Sequence, residues 1–188
     1  PDLDVLVVPV GGGGLIGGIA FTAKALKPAI SVIGVETELY PAMHQRLHGR
    51  PVKVGGPTIA EGIAVREIGE RNLAIARRCV DDVLVVRETD VERAVFLLVE
   101  IEKTVVEGAG AAGLGAVLTN PERFRGRNVG LVLSGGNIDS RLLASILMRG
   151  LVRDGRLVRL RIEIPDAPGT LSRIAGLVGD SGGNIVEV

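Results

Sequence analysis

The chain of 188 residues carries 22 basic and 22 acidic side chains, so its net charge is zero and nothing favours a nucleic-acid partner. Aromatic residues make up only 2%, which also argues against the base-stacking surfaces of single-strand binders. Apolar residues make up 46%, enough for a core, but no apolar run reaches the roughly 18 residues that a membrane span needs. The single cysteine excludes an internal disulfide and indicates a reducing, cytoplasmic setting.

The first strong pattern is a strand followed by a glycine loop. Residues 5–10 are apolar β-formers, residues 11–14 are all glycine, and the Ala-rich segment 15–26 predicts a helix. Glycines can take positive φ angles, which turn successive backbone N–H groups into one concavity. With the positive end of a helix dipole behind it, such a loop is an anion cradle, and phosphate is its usual occupant.

Strands and helices then alternate along the chain. The predicted strands cover residues 5–10, 30–36, 82–86 and 129–133. The predicted helices cover residues 15–26, 40–47, 68–78, 89 to about 105 and 139 to about 148. Residues 107–113 are predicted to break the fourth of these helices, and a helix of small residues follows them to about residue 118. Near-continuous apolar strands that alternate with helices are typical of an α/β protein, in which an open parallel sheet has helices on both faces.

Two further local patterns belong to these helices. Thr89 and Glu92 have the spacing of a capping box, which predicts that Thr89 caps the helix that follows. Residues 108–118 are nearly all small, which predicts a backbone packed closely against the sheet or a ligand.

A second glycine-rich loop, residues 134–137, follows the fourth strand. Ligands of open parallel sheets bind outside the carboxyl ends of the strands. Both glycine-rich loops fall at such ends, so we expect residues 11–14 and 134–137 to form one shared site.

The composition changes near Gly150. Five arginines between residues 149 and 161 indicate a solvated connector. Beyond it, the pattern predicts a strand over 157–164, a helix over 170–178 and the start of another strand. We therefore predict a first domain over 1–150, a linker over 151–156 and half of an α+β unit over 157–188. Because the chain starts without Met and stops in a predicted strand, we interpret it as a piece of a longer protein.

The glycine loop also satisfies a dinucleotide-binding fingerprint. Gly12, Gly14 and Gly17 have the G-x-G-x-x-G spacing, and Glu36 stands at the end of the next strand, where such proteins hold a ribose. An NAD-binding module of a dehydrogenase is therefore one alternative. It explains neither the fourth consecutive glycine nor the loop at 134–137.

Other reactive side chains favour ordinary roles. His44 and His48 are one helical turn apart, but the glutamate of H-E-x-x-H is absent and no third ligand is apparent, so we interpret them as surface histidines. Cys79 follows two arginines, yet a packing role fits it better than catalysis.

Four ordered motifs together resemble threonine dehydratase, a fold type II enzyme that uses pyridoxal phosphate (PLP). The resemblance covers about residues 1–150, and its motifs are the segments 11–15, 58–65, 106–111 and 133–139. The tail, residues 166–171 with 182–185, resembles the opening of an ACT domain, a ferredoxin-like unit that binds amino-acid effectors in many of these enzymes.

The resemblance implies roles for individual residues. Ser134 would face the pyridine nitrogen of the cofactor, Gly62 would lie near its ring, and Glu107 near its polar edge or a cation. The implied cofactor-binding residues are Gly11, Gly12, Gly13, Gly14, Leu15, Gly62, Glu107, Ser134 and Gly135. The implied effector-binding residues are Asp166, Gly169, Thr170, Leu171, Asn184 and Ile185.

The chain departs from the family pattern at two points. The lysine that carries the cofactor lies in a Ser-x-Lys motif upstream, and no lysine of this chain has that setting. The catalytic residues are therefore unknown, and the chain alone is expected to be inactive. Related racemases hold a cation through an acid matching Glu36 and an aspartate six residues later, but here that position is Ala42, which argues against a metal.

The resemblance thus implies β-elimination from L-threonine or L-serine, giving a 2-oxo acid and ammonia, in a cytoplasmic homo-oligomer (dimer or tetramer) of amino-acid metabolism. Isoleucine biosynthesis and allosteric control by an amino acid are the implied setting. A serine racemase-type PLP enzyme is a close alternative on the same scaffold, and a purely regulatory amino-acid-binding piece is a third.

Overall fold

A computed structural model describes residues 2–187, and its centre is a four-stranded sheet. The strands are Val5–Pro9 (β1), Ser31–Thr37 (β2), Asp82–Val86 (β3) and Val129–Leu131 (β4). Their order is β3-β2-β1-β4 and every neighbouring pair is parallel. The predicted parallel sheet is confirmed, although β4 ends two residues earlier than expected.

Eight α-helices connect and cover these strands in the described residues, with a 3₁₀ turn at Glu61–Ile63. The helices are Gly14–Leu26 (α1), Ala42–Leu47 (α2), Glu70–Cys79 (α3), Glu88–Glu100 (α4), Gly108–Thr119 (α5), Pro121–Phe124 (α6), Ser140–Arg153 (α7) and Thr170–Asp180 (α8). The short helix α6, with proline at its first position, was not predicted. At α7 the carboxylate of Asp139 accepts hydrogen bonds from the N–H groups of Arg141 and Leu142, so Asp139 is the N-cap.

Both faces of the sheet are buried. Successive side chains of a strand point to opposite sides of the sheet, and on each side they pack against helices. Val7 of β1 belongs to a buried cluster with Ala112 of α5, whereas Val8 belongs to the cluster of Ile16 in α1 and Leu73 in α3. Helices therefore cover both faces, as the apolar strands predicted.

Helix α5 lies unusually close to its neighbours. A Cβ on Gly108 would overlap the carbonyl oxygen of Ile59, and one on Gly115 would lie 3.2 Å from the carbonyl oxygen of Asp90 in α4. A third buried cluster, which includes Phe96 of α4 and Ile146 of α7, packs on the outer side of α5. The small residues thus bring the backbone of α5 against the sheet, α4 and the segment at residue 59.

The start of α4 differs from the prediction. Arg87, not Thr89, is the N-cap residue, and its reciprocal partner is Asp90, whose carboxylate accepts from the backbone N–H of Arg87. The helix begins at Glu88, so Glu92 lies beyond the capping position. Glu92 instead forms ion pairs with Arg149 and Arg153 of α7, at 2.8 and 3.2 Å. These two arginines therefore join α7 to α4 instead of lying on a free solvated face.

The tail gives one helix where a strand, a helix and a second strand start were predicted. Residues 157–164 form no strand, and the prediction was wrong there, because a strand needs a neighbour for its backbone groups and no segment of residues 2–187 pairs with it. The predicted start of a further strand lies partly on residue 188, outside the described residues, and residues 183–187 form no strand either. Helix α7 extends to Arg153, and the domain boundary near residue 150 stays a prediction.

Candidate functional site

A cavity of about 260 Å³ opens at the carboxyl edge of the sheet. Strands β1 and β4 are parallel neighbours, with Val7 opposite Leu131, so the loops that follow them lie side by side. The cavity is lined by Pro9, Gly11, Gly12, Gly13, Gly14, Leu15, Ile16, Gly62, Ile63, Glu107, Ala109 and Ser134. The structure therefore brings the two glycine-rich loops to one cavity, as their strand ends predicted.

The glycine loop lines this cavity and carries unpaired backbone donors. Gly13 is the N-cap of α1, with φ at 85°, and no side chain caps the helix. Within residues 2–187, the backbone N–H groups of residues 11–15 donate to no protein acceptor. Unpaired N–H groups at a helix N-terminus form a site for an anion.

Two side chains from other helices support the loop from behind. A Cβ on Gly13 would lie 2.7 Å from Cε of Met43 in α2 and 3.1 Å from Cβ of Asn72 in α3. The side-chain amide of Asn72 donates to the carbonyl oxygen of Gly12 at 2.6 Å. Sequence reasoning missed both residues, since nothing local to either indicates a contact with the loop.

The opposite wall combines the start of α5 with the loop after β4. The backbone N–H of Glu107 donates to the carbonyl oxygen of Gly135 at 3.0 Å. A Cβ on Gly62 would lie 3.0 Å from Oε1 of Glu107, and a Cβ on Gly135 would overlap that carboxylate. Of the predicted cofactor-binding residues, Gly135 alone is not in the lining; it lies directly behind Glu107.

The segment that carries Gly62 is held by a residue that sequence reasoning also missed. Glu88, the first residue of α4, accepts hydrogen bonds from the Thr58 hydroxyl at 2.8 Å and from the Ile59 N–H at 2.9 Å. The Thr58 hydroxyl in turn accepts from the N–H of Ala60 at 3.0 Å. This network fixes the path of the chain into the 3₁₀ turn that lines the cavity.

Glu36 does not reach the cavity. Its side chain is 1% exposed, and its two oxygens accept from the N–H groups of Met43 and His44, each at 2.8 Å. Burial raises the pKa of Glu36 from its ordinary value of 4.5 to about 7, although the two hydrogen bonds oppose that shift. The carboxylate caps α2 and is not available to hold a ribose.

Gly17 faces Ile75 of α3, where the missing side chain permits close packing of α1, and this is the role that the third glycine of the dinucleotide fingerprint has. Glu36, however, is buried as a helix cap, so the acid with which such proteins hold a ribose does not face the cavity. The geometry does not support the NAD-binding alternative.

The remaining reactive side chains lie elsewhere. The rings of His44 and His48 are 4.3 Å apart between centroids, and each Nδ1 lies within hydrogen-bonding distance of a backbone carbonyl. Within residues 2–187, no cluster of three or more His, Cys, Asp or Glu side chains could hold a metal. None of the helices in that range is both long and apolar enough to cross a bilayer.

The predicted effector residues do not take part in the cavity. Asp166 and Gly169 lie before α8, Thr170 and Leu171 open it, and residues 184–185 follow it. None of them lines the cavity at the sheet edge. Their predicted role concerns a separate site.

The cavity accepts a small ligand with an anionic group at one end. Unpaired N–H groups and the N-terminus of α1 lie at one wall, whereas Ser134 and Glu107 line the other. Glu107 is the one charged residue of the lining, and the described lining contains no lysine. These features define an α/β protein with a phosphate-type cradle at the carboxyl edge of a parallel sheet.

The chain belongs to the pyridoxal-phosphate dependent enzyme family, whose model matches residues 1–135. It is 43% identical over 190 residues to an L-threonine ammonia-lyase of Thermotoga maritima, covering 100% of this chain and 47% of that protein. The resemblance to threonine dehydratase and the PLP cofactor of the family are thereby confirmed.

Solved structures agree with the fold. A threonine deaminase from T.th. superposes with a TM-score of 0.68 at 40% identity, covering 73% of this chain and 51% of that one. Maize serine racemase superposes with a TM-score of 0.70 at 33% identity, covering 79% and 48%. The fold is that of fold type II PLP enzymes, and the chain spans about half the length of the relatives that it matches.

Proposed function

We propose that this chain is the cofactor-phosphate-binding part of a PLP-dependent ammonia-lyase that converts L-threonine, or L-serine, to a 2-oxo acid and ammonia. The observation that carries the proposal is the single cavity in which the glycine loop, Ser134 and Glu107 meet. The relative in Thermotoga maritima, which matches the whole chain and is named for this activity, supports it.

The glycine loop would hold the phosphate. The N–H groups of residues 11–15 have no protein acceptor within the described chain, and the α1 dipole adds positive potential at the same point. A glycine cradle admits the phosphate oxygens close to the backbone, because no Cβ stands in the way. The residues present therefore fit a phosphorylated cofactor.

PLP, when bound, supplies an electron-withdrawing ring that stabilises negative charge at the α-carbon of an amino acid. Ser134 would place a neutral hydroxyl at the ring nitrogen. A hydroxyl stabilises a protonated ring nitrogen less than a carboxylate does, so the electron demand of the ring is moderate. Moderate electron withdrawal is sufficient for a substrate with a β-hydroxyl group, because the departure of that group removes the negative charge from the α-carbon.

Glu107 and Gly62 would shape the rest of the cavity. The Glu107 carboxylate has no hydrogen-bond or ion-pair partner among the side chains of residues 2–187, so its oxygens are available to the polar edge of the cofactor. Gly62, which also lines the cavity, would add no side chain beside the ring. We propose that the lysine which carries the cofactor is supplied by polypeptide beyond these 188 residues.

The test replaces Ser134 with alanine in the complete polypeptide that contains this chain. Ser134→Ala is expected to weaken retention of PLP during dialysis and to lower threonine turnover, whereas Ser140→Ala, at the exposed start of α7, should change neither. Unchanged cofactor retention in Ser134→Ala would contradict the role given to the hydroxyl.

Substrate choice is tested on the same protein. With either L-threonine or L-serine as substrate, one molecule of ammonia should form for each molecule of the matching 2-oxo acid. Formation of D-serine at a higher rate than ammonia would instead support the racemase alternative.

We further propose an effector site of ACT type in the tail. The apolar residues of the strand-like segment 157–164 are exposed, Val158 at 70% and Leu160 at 67%, as is Leu177 of α8, also at 67%. Uncovered apolar faces of this kind support a unit that is completed by further polypeptide. Threonine turnover should then respond to isoleucine or valine, and an enzyme indifferent to both would contradict the proposal.

Finally, we propose a cytoplasmic homo-oligomer, dimer or tetramer, that serves isoleucine biosynthesis. Two apolar side chains of α1, Phe21 at 66% and Leu26 at 83% exposure, support an additional packing surface. Light scattering of the complete protein measures the number of subunits, and a monomer would contradict the assembly.

A further inference from the structure

Asn72 contacts the glycine loop from a different helix. It is the third residue of α3, it lies 60 residues from Gly12, and its side-chain amide donates to the Gly12 carbonyl oxygen at 2.6 Å. Asn72 is only partly buried and is not in the cavity lining. The contact therefore acts on the loop from its outer side.

The hydrogen bond from Asn72 to the Gly12 carbonyl also fixes the direction of the next backbone donor, the N–H of Gly13. In a trans peptide the C=O and the following N–H point in opposite directions, and no cis peptide occurs among the described residues. The Gly12 carbonyl points toward α3, so the N–H of Gly13 points away from α3. Gly13 itself lines the cavity, whereas Asn72 does not, so the peptide is held from the side that carries no lining residue of α3.

Without the contacts from Asn72 and Met43, the glycine loop at residues 11–14 would be among the least constrained segments of the chain. Four consecutive glycines have more conformational freedom than any other tetrapeptide, and fixing each residue costs about 1–2 kcal/mol of backbone entropy. Asn72 fixes the carbonyl of Gly12, while its Cβ and the Met43 side chain pack behind Gly13. A donor held before the ligand arrives binds an anion more tightly than one that must be ordered during binding.

We propose that Asn72 is a positioning residue for the phosphate of the cofactor, because its amide holds the Gly12–Gly13 peptide with the Gly13 N–H directed at the ligand. The proposal rests on the proposed function only in taking the phosphate of PLP as the anion. It predicts an effect on the phosphate end of the ligand and none on the ring.

The experiment compares PLP with pyridoxal, which lacks the phosphate, on the complete polypeptide. Asn72→Leu keeps the approximate volume and removes the donor, and Asn72→Asp keeps the shape while its carboxylate can only accept. Each variant should bind PLP about tenfold more weakly, a loss of about 1.4 kcal/mol, with the dissociation constant for pyridoxal unchanged. Arg71→Leu, the exposed neighbour on α3, should change neither constant.

The ratio of the two constants separates the outcomes. Equal losses of affinity for PLP and pyridoxal, or no loss for either, would overturn the positioning role. If Asn72→Leu does not fold, Asn72→Asp provides the same comparison. A wild-type protein that binds pyridoxal as tightly as PLP would instead refute the phosphate cradle of the proposed function. Inorganic phosphate as a competitor of PLP should lose potency in the Asn72 variants in the same proportion.

Discussion

The carboxylate of Glu107 occupies the space that any side chain at Gly135 would need, since a Cβ built on Gly135 overlaps Oε1 of Glu107. The backbones of the two residues are joined as well, because the Glu107 N–H donates to the Gly135 carbonyl. The loop after β4 and the start of α5 are therefore matched in shape at the wall of the cavity. Glycine at 135 is required by this contact and not by a positive φ angle.

Gly135→Ala should push the Glu107 carboxylate into the cavity and weaken PLP binding about tenfold or more, which corresponds to about 1.4 kcal/mol or more. Fluorescence titration of the complete protein measures the dissociation constant. Gly176→Ala in α8 is the control, because a Cβ there meets nothing within 4 Å and α8 does not line the cavity. The double variant Gly135→Ala/Glu107→Ala should have the same dissociation constant for PLP as Glu107→Ala alone, because the clashing carboxylate is gone. If the two free-energy losses simply add in the double variant, the overlap between residues 135 and 107 is not the cause.

Gly13→Ala should destabilise the fold by about 1–2 kcal/mol, since Gly13 has φ at 85° and an L-residue is strained in that left-handed region. The new methyl group would also lie 2.7 Å from Cε of Met43. Urea unfolding gives the change, and Gly12→Ala, which has open space and no positive φ, should shift the midpoint much less. Equal losses in the two variants would show that the left-handed conformation is not needed.

Gly150→Ala tests whether α7 is part of the same core as α4. A Cβ on Gly150 would overlap the ring of Phe96, so the substitution should lower the unfolding free energy by about 1–3 kcal/mol through overpacking. Phe96→Leu shortens the opposing side chain. Gly150→Ala should therefore cost less unfolding free energy in the Phe96→Leu background than in the wild type. Gly176→Ala in α8, where a Cβ meets nothing within 4 Å, should leave the thermal midpoint in place. A stable Gly150→Ala single variant would contradict the packing.

Glu36 should make the fold less stable as the pH rises from about 4.5 to about 7. Its pKa is about 7 in the folded chain against an ordinary value of 4.5, so the folded state binds the proton more tightly and loses that advantage across this interval. At about 1.4 kcal/mol for each pKa unit, the total is about 3 kcal/mol.

Glu36→Gln, which does not titrate, should flatten this part of the stability profile, measured by denaturant unfolding at several pH values. The control is Glu67→Gln, on an exposed side chain without hydrogen-bond partners among the described residues, which should keep the wild-type slope. An unchanged slope in Glu36→Gln would show that another group carries the pH dependence.

The sequence by itself determined the features that arise from neighbours along the chain. The alternation of apolar strands with helices predicted the parallel sheet, and the glycine-rich loops 11–14 and 134–137 marked the two strand ends that share the cavity. The four family motifs likewise identified the family and its cofactor. Local composition is sufficient for these conclusions because turn, strand and helix preferences act over a few residues.

Only the tertiary structure decided the contacts that depend on how the elements pack. Asn72 reaches Gly12 across 60 residues, Glu88 holds Thr58 across 30, and Glu36 serves as a buried helix cap outside the cavity. The segment 157–164 has strand periodicity but no partner among residues 2–187, so it forms no strand. A hydrogen bond between distant side chains, or the pairing of a strand, requires two elements at a fixed distance, and no local pattern in the sequence encodes that distance.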